Sequence, residues 1–249
     1  MAIFIKNNDG IARMRESNKI VAKALAIVEK HIKIGITTKE LDKIVEDAIR
    51  SQGAIPSFKG YNGFPAAACI SVNDEVIHGI PSKRKLLDGD IVSIDVGAYK
   101  NGYHGDAART FLVGNVREEH KKLVKETENS FFYAIEYATA EYHVNQMSGR
   151  VEEYVKQFGY GVVREYCGHG IGENLHESPE ISNYIQKAKG AKLAAGMSLA
   201  IEPMINLKSP DIILLDDDWT VVTEDCQYSA HYENTILITD GKPEILTLY

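Results

Sequence analysis

Acidic side chains placed within or at the ends of strand-like segments constrain the fold of this chain more than any other feature. Asp95, Asp106, Glu202 and Glu233 lie in such segments, and His169 lies in another. Carboxylates in strands repel one another and cost free energy to desolvate when they are buried. Two shared divalent cations would remove both costs, because four negative charges balance two doubly charged ions. We therefore expect a fold that brings these residues together from both halves of the chain.

Length and composition are those of a globular protein. The 249 residues are 44% hydrophobic and 25% charged, which is enough to bury a full core. The formal net charge of −7 argues against broad binding to a phosphate backbone, and no nucleic-acid motif is present. No apolar run approaches the roughly 20 residues of a membrane helix, and the N-terminus is too polar for a secretory signal. No linker divides the sequence, so we predict a single catalytic domain over residues 1–249.

The three cysteines indicate the compartment. The number of cysteines is odd, and no two of them have C-x-x-C spacing: Cys69, Cys167 and Cys226. This usage is typical of a reducing compartment and speaks against a zinc–thiolate site. We expect a cytoplasmic protein.

Helical periodicity dominates the beginning of the chain. Residues 9–33 have apolar side chains on one face, with Asp9 as a candidate N-cap and Gly35 as the expected stop. Thr37–Glu40 has the pattern of a capping box, which predicts a second helix ending at Gly53. Further helices are predicted at residues 117–140 and 147–158. Strands are predicted at residues 66–72, 90–96, 161–166, 197–203, 219–224 and 229–239.

A faint internal repeat indicates the architecture. Leu86–Asp95 resembles Leu193–Glu202, because each segment is a glycine-led strand that ends in a carboxylate. Two such units predict an α+β fold, pseudo-symmetric, with a central, mostly antiparallel sheet and helices packed on its outer face. The alternative is that both segments are simply common strand starts.

A hairpin sets the relative position of the first two carboxylates. Asn101-Gly102 is a strong two-residue turn signal, and this turn pairs Asp106 with Gly97. Asp95 then lies on the same face as a diagonal neighbour of Asp106, at a Cα distance of roughly 7–8 Å. We expect Gly97 to leave room for something other than a side chain.

The other candidate ligands lie in the second half. Glu233 alternates with His231 and Thr235 on one face of its strand, so its burial would require a partner. His169 lies among three glycines in residues 168–172, which predicts close approach of the backbone to a bound species. A lone histidine is more often a structural residue than a ligand. The interpretation as a two-metal hydrolase therefore depends on the whole set.

Taken together, these motifs resemble the methionine aminopeptidase family, in its short bacterial type I form, from about Ile11 to Leu248. The most specific segments are Gly60–Pro65, Cys69–Asn73, His78–Pro81, Asp90–Val96, Gly102–Asp106, Gly168–Gly172, His176–Pro179, Ile201–Pro203 and Tyr232–Thr235. The resemblance implies the pita-bread fold. It also implies removal of the N-terminal methionine from nascent polypeptides when the second residue is small.

The resemblance also implies roles for the candidate ligands. Asp106 and Glu233 would bridge two divalent ions. Asp95 would complete one site, and His169 and Glu202 would complete the other, with Glu202 also acting as general base on a bridging water. Oxygen ligands with one imidazole suit Co, Mn, Fe or Zn.

Substrate contacts are implied in the same way. His78 and His176 would contact the scissile peptide. The methionine pocket would be formed by Tyr61, Phe64, Cys69, Leu175 and Trp219, for which ordinary core packing is the alternative. We expect Trp219 at a loop tip near the surface. The remaining histidines are expected to be surface or structural residues: His31, His104, His120 and His143.

Four departures from the family pattern concern the site and its surroundings. Gly97 stands where a threonine is common, Leu175 where an aromatic residue is common, and His231 where a glutamine is usual beside Glu233. Residues 139–147 lack the usual glycine-containing turn. None of these departures removes a candidate ligand, but they affect pocket shape and leave open a role for His231.

Two alternatives compete with this interpretation. A relative of proline dipeptidase or aminopeptidase P would carry a large N-terminal domain. A non-catalytic binding protein would be expected to lose ligands, and all five are present. The interval between His176 and Glu202 is too short for the helical subdomain of the type II enzymes. We expect a monomer whose partners are nascent chains and, at most, the ribosome exit region.

Overall fold

A computed structural model describes residues 3–248 of the chain. The α-helices are α1 (Asn8–Glu29), α2 (Thr38–Arg50), α3 (Glu118–Ile135), α4 (Val144–Ser148) and α5 (Arg150–Val155), and short 3₁₀ turns span Tyr61–Gly63 and Lys156–Phe158. None of the helices within residues 3–248 is both long enough and apolar enough to cross a membrane.

The strands are short apart from one long hairpin. They are β1 (Ile55–Pro56), β2 (Ala68–Val72), β3 (Glu75–Ile77), β4 (Ile91–Lys100), β5 (Tyr103–Leu112), β6 (Gly161–Val162), β7 (Gly168–Gly170), β8 (Glu177–Ile181), β9 (Ser198–Ile201), β10 (Met204–Asn206), β11 (Ile212–Leu214), β12 (Val221–Thr223), β13 (Ser229–His231), β14 (Asn234–Leu237) and β15 (Glu244–Ile245).

All pairings between these strands are antiparallel, and they are distributed over four sheets. One sheet has the order β1-β4-β2 with β5 paired to β4, and the largest has the order β15-β14-β9-β7-β8. The other two have the orders β13-β10-β6 and β11-β12-β3. The predicted mostly antiparallel α+β architecture is therefore confirmed.

The first helix begins and ends earlier than predicted. Asn7, and not Asp9, is the N-cap of α1, because the Asn7 side chain accepts a hydrogen bond from Gly10 N at 2.9 Å. The helix ends at Glu29 rather than near residue 33, and Gly35 adopts a positive φ in the loop beyond it. The capping box is confirmed: Glu40 N donates to Thr37 Oγ1 and Thr37 N donates to the Glu40 carboxylate.

The hairpin register is confirmed, but the expectation for Gly97 is wrong. Asn101 and Gly102 both have positive φ, as a type I′ turn requires, and Gly97 pairs with Asp106. A Cβ on Gly97 would lie 2.7 Å from the Phe58 ring and 2.8 Å from Ser57 Cβ. The space opposite Asp106 is thus filled by protein.

The predicted strand at residues 229–239 is interrupted. Strand pairing stops at His231 and resumes at Asn234, so Tyr232 and Glu233 lie between β13 and β14. Tyr232 N bonds to Pro203 O, whereas Glu233 N bonds to Ala108 O on β5 at 2.9 Å. The interruption occurs because the backbone changes its partner at this point.

A seam joins the two halves of the molecule. We use this name for residues 106–110 of β5 and the facing residues 231–235. Thr235 Oγ1 bonds to both Asp106 N and Asp106 O, at 3.2 and 2.8 Å. Thr110 Oγ1 bonds to His231 N and His231 O in the same way, at 2.9 and 2.8 Å. The seam therefore runs antiparallel and brings Asp106 close to Glu233.

Helix α1 packs against the hairpin at very short range. Its buried apolar face, which includes Val21, Leu25 and Val28, belongs to the same core cluster as Ile94 of β4. Gly105 makes this packing possible, because a Cβ there would lie 2.8 Å from the backbone N and Cα atoms of Asn18. The backbone of α1 thus limits how β5 can be positioned, and with it the position of Asp106, which follows Gly105.

Adding a methyl group at this contact is expected to destabilise the fold. Gly105→Ala should lower the free energy of unfolding by about 1–3 kcal/mol, since the blocking atoms belong to helix backbone. Gly97→Ala is the comparison variant, and it should cost less because the Phe58 ring can yield. Urea denaturation measures both, and a larger loss for Gly97→Ala would contradict this account.

Candidate metal centre

The predicted site residues line one cavity of about 300 Å³. It contains every residue proposed from the sequence as a ligand, a peptide contact or a pocket wall, namely Tyr61, Phe64, Cys69, His78, Asp95, Asp106, His169, Leu175, His176, Glu202, Trp219 and Glu233. Residues from both halves of the chain are represented, as expected.

Each carboxylate occupies a distinct structural position. Asp95 and Asp106 come from β4 and β5, Glu202 directly follows β9, and Glu233 lies in the seam. The residues Asp106 and Glu233 are only 4% and 2% exposed. Asp95 and Glu202 are half-buried and complete the group.

The four carboxylates are incompletely hydrogen-bonded by the residues that the structure describes. One buried oxygen of each has no hydrogen-bond partner: Asp95 Oδ1, Asp106 Oδ1, Glu202 Oε1 and Glu233 Oε1. An unsatisfied buried carboxylate oxygen is costly, and four in one cavity require a common explanation. Cations among them would provide it.

Burial controls the protonation of this group. Desolvation raises the pKa of Asp95 to about 7. Desolvation, followed by repulsion from the neighbouring carboxylates, also raises the pKa values of Asp106, Glu202 and Glu233 well above their usual range. Without metal ions, the protein environment therefore favours protonated carboxyl groups. Positive ions among them would instead favour the charged carboxylates.

The imidazole of His169 is oriented by the backbone. Its Nδ1 lies 2.9 Å from Gly170 O, so Nδ1 donates and Nε2 is left as a free electron-pair donor facing the cavity. The Nε2 atom lies 3.5 Å from Glu202 Oε1. Burial lowers the pKa of His169 to about 3, which keeps the ring neutral.

The glycines around His169 have a different purpose from the predicted one. A Cβ on Gly168 would lie 2.3 Å from Ala200 O, and one on Gly170 would lie 2.2 Å from Ser178 O. These glycines let neighbouring strands pack closely on both sides of β7. They do not serve the approach of a bound species.

Two sets of potential ligand atoms lie close enough together to be candidates for binding a metal ion. Atoms of Asp106, His169 and Glu233 lie within 4.8 Å of one another, and so do atoms of Glu202, His231 and Glu233. Oxygen-rich donors with imidazole nitrogen suit a divalent transition ion. The orphaned oxygens and this donor set fit a divalent metal centre.

Two further histidines border the cavity. His78 has a positive φ and packs edge-on against Tyr166 at 5.5 Å, and burial lowers its pKa to about 4. His176 lies at the open rim, where its ring is 4.3 Å from that of His169. Tyr61 Oη lies 2.7 Å from His176 Nδ1. Both imidazoles are thus placed to contact a molecule in the cavity.

One side of the cavity is an apolar wall that includes Phe64, Cys69, Leu175 and Trp219. The cavity lining also contains five residues that the sequence did not single out. Trp219 is half-buried and packs edge-on against Phe64 at 5.0 Å, so it belongs to the wall as well as to a loop. Two of the additional lining residues, Asn62 and Ile77, directly adjoin proposed site residues in the sequence, which is the signal that could have identified them. The others are Phe58, Tyr166 and Cys167.

Besides His231, four histidines lie outside the cavity lining. His31 is exposed, and His143 caps α4 together with Gln146. His120 is buried against the Tyr228 ring at 3.7 Å, and His104 Nδ1 bonds to Ser57 Oγ at 2.9 Å. These contacts give each of the four a surface or structural setting.

Comparison with known proteins identifies the family. A sequence model of metallopeptidase family M24 matches residues 12–240. The methionine aminopeptidase of Clostridium acetobutylicum is 53% identical over 99% of each chain, and methionine aminopeptidase 1 of Bacillus subtilis is 50% identical over 98% of this chain and 99% of its own.

Solved structures agree with this result. The methionine aminopeptidase of Thermotoga maritima superposes with a TM-score of 0.97 at 42% identity, and each chain covers 100% of the other. A prolidase from Pyrococcus furiosus superposes with a TM-score of 0.80 at 26% identity, over 98% of this chain and 65% of that one. The pita-bread fold predicted from the sequence is confirmed. The chain therefore belongs to metallopeptidase family M24, on the branch formed by the bacterial type I methionine aminopeptidases.

Proposed function

We propose that this chain removes the N-terminal methionine from polypeptides whose second residue is small, with two divalent ions held by Asp95, Asp106, His169, Glu202 and Glu233. The observation that carries the proposal is the common cavity, in which unpartnered carboxylate oxygens adjoin an apolar wall. The relatives named methionine aminopeptidase support the substrate.

The ligands would divide between the two ions as the resemblance to the family implies. Asp106 and Glu233 adjoin across the seam and would bridge the ions, while Asp95 would complete one site and His169 with Glu202 the other. These residues would hold the ions, which would supply Lewis acidity for the scissile carbonyl and for a water molecule. Cobalt, manganese, iron or zinc would suit these donors.

Glu202 is the proposed general base. Its Oε1 atom has no hydrogen-bond partner and faces the cavity, whereas its main-chain oxygen accepts a hydrogen bond from Asn183 Nδ2 at 3.0 Å. The backbone anchor leaves the carboxylate free to take a proton from the attacking water and pass it to the leaving amine. His78 and His176 would hold the scissile peptide through neutral imidazoles.

The wall formed by Phe64, Leu175 and Trp219 suits a methionine side chain. A thioether is flexible and polarisable, and it makes favourable contacts with aromatic rings. The Cys69 thiol is kept neutral because burial raises its pKa well above the usual value. The pocket therefore presents an uncharged surface to an apolar side chain.

The setting of the reaction is also part of the proposal. A single domain that acts as a monomer in the cytoplasm, on chains emerging near the ribosome exit, would suit this activity.

Removing metal should destabilise the protein. Because ions at about 100 times their dissociation constant add about 2.7 kcal/mol, a chelator should lower Tm by about 5–10 °C. Differential scanning calorimetry with and without chelator measures this shift. Asp106→Asn should reduce it, whereas the exposed Asp216→Asn should leave it intact. An equal Tm with and without chelator would contradict a shared metal centre.

Loss of the proposed base should stop turnover. Glu202→Gln should lower kcat on a Met-Ala-Ser peptide by about 10²–10⁴-fold, since the water then lacks its proton acceptor. Metal content of the same sample separates loss of the base from loss of an ion. Glu165→Gln, an exposed substitution of the same kind, is the control. Full activity of the Glu202→Gln variant with metal bound would exclude this role.

The second residue should control the rate. A leucine after the methionine has to fit beside His78 and His176, so kcat/KM for Met-Leu-Ser should fall on the order of tenfold or more relative to Met-Ala-Ser. Release of free methionine measures both rates. Comparable values would rule out selection for a small second residue.

A further inference from the structure

We propose that His231 is a sixth protein ligand of this metal centre, and that its Nε2 atom binds the ion held by His169 and Glu202. The inference rests on the proposed function because it presupposes the five-ligand centre. It concerns a residue that departs from the glutamine expected at this position.

The backbone of His231 is fixed independently of its side chain. His231 is the last residue of β13 and pairs with Met204 of β10. Its N and O atoms both bond to Thr110 Oγ1, which lies 2.8 Å from Ser93 Oγ on β4. The direction of the Cα–Cβ bond is therefore set by the seam and should persist when the side chain is changed.

The side chain lies on the ligand-bearing face of the chain. Tyr232 turns to the other side, where the guanidinium of Arg109 stacks 4.3 Å from its ring centroid. A ring nitrogen of His231 lies within 4.8 Å of carboxylate oxygens of Glu202 and Glu233, although His231 is not among the residues that line the cavity. His231 is only 2% exposed, so its side chain is enclosed by protein.

Its Nε2 atom has no hydrogen-bond partner among residues 3–248. That atom is buried without a hydrogen bond and lies 3.9 Å from Glu233 Oε2, which is too long for a hydrogen bond. Ligand atoms of Glu202, His231 and Glu233 all lie within 4.8 Å of one another. Two bonds of about 2.1 Å to one ion can join atoms up to about 4.2 Å apart, so a shared ion can connect His231 and Glu233 where a hydrogen bond cannot.

Charge and donor type agree with this assignment. Four carboxylates already balance two doubly charged ions, so a further ligand should be neutral, as an imidazole is. A second imidazole beside His169 would shift preference towards ions that favour nitrogen, such as cobalt or zinc, and away from manganese. An amide at this position would make a weaker ligand.

The direct test counts imidazoles on the metal. In the proton NMR spectrum of the wild-type chain saturated with Co²⁺, each bound imidazole contributes one exchangeable, far-shifted N–H proton from its other nitrogen. Two such resonances are expected, one each from His169 and His231, and a single resonance in His231→Gln. One resonance in the wild type would overturn the proposal, whether or not the variant folds.

Metal affinity gives an independent readout. Titration calorimetry on His231→Gln should show about a tenfold or greater rise in the Co²⁺ dissociation constant and a smaller change for Mn²⁺. His31→Gln, the same substitution on the surface, should leave both constants unchanged. Glutamine keeps a hydrogen-bond donor, so an unchanged Co²⁺ constant in His231→Gln would mean that His231 only donates to a carboxylate, and the proposal would fail.

Co²⁺ binding and the number of imidazole resonances separate the role of His231 from the proposed function. Tight Co²⁺ binding with a single imidazole resonance would overturn the role of His231 and leave the five-ligand centre standing. Absence of stoichiometric Co²⁺ binding to the wild-type chain would overturn the proposed function itself.

Discussion

The seam between β5 and residues 231–235 is the interaction on which the rest of the structure depends. Its outer hydrogen bonds use threonine hydroxyls, since Thr235 bonds to the backbone of Asp106 and Thr110 bonds to that of His231. Its middle bond is made by Glu233 N and Ala108 O. Residues more than a hundred positions apart are thereby held in register, and Asp106 comes to lie beside Glu233.

The register of the seam brings together carboxylates that repel one another. The seam places carboxylates together that would separate in water, and it leaves an oxygen of each without a partner. Arg109 offsets part of the cost, because it donates to Ala108 O and Asn234 Oδ1 and its charge lowers the pKa of Glu233. Burial outweighs this effect, and the pKa of Glu233 remains raised. Folding and metal binding are therefore linked: the backbone gathers the ligands, and ions stabilise what the backbone has gathered.

Local chemistry explains which features the sequence could predict. The turn at Asn101-Gly102 requires two positive φ angles, and this requirement alone determines that Asp106 faces Gly97. Long-range packing explains what it could not predict. Three features depend on segments that are distant in sequence. They are the packing of Phe58 against Gly97, the close approach of strands around Gly168, and the interruption of the strand at Tyr232. The candidate ligands could be predicted because each lies in a short motif that is recognisable in the sequence. Tyr166 lies in no such motif, and only the folded structure shows that it lines the cavity.

One cross-strand pair links the candidate ligands to the apolar lining of the cavity. Cys69 of β2 is the direct partner of Asp95 of β4, so a soft wall residue and a candidate ligand are adjacent by strand register. Burial, together with the charge of Asp95, raises the pKa of the Cys69 thiol, which keeps it a neutral contact and prevents it from competing as a thiolate ligand. Because the same β-sheet carries both residues, the distance between Cys69 and Asp95 is set by the spacing of β2 and β4. A group that packs beside Cys69 would therefore lie one strand spacing away from Asp95, so the apolar lining and the candidate ligands cannot move independently of each other.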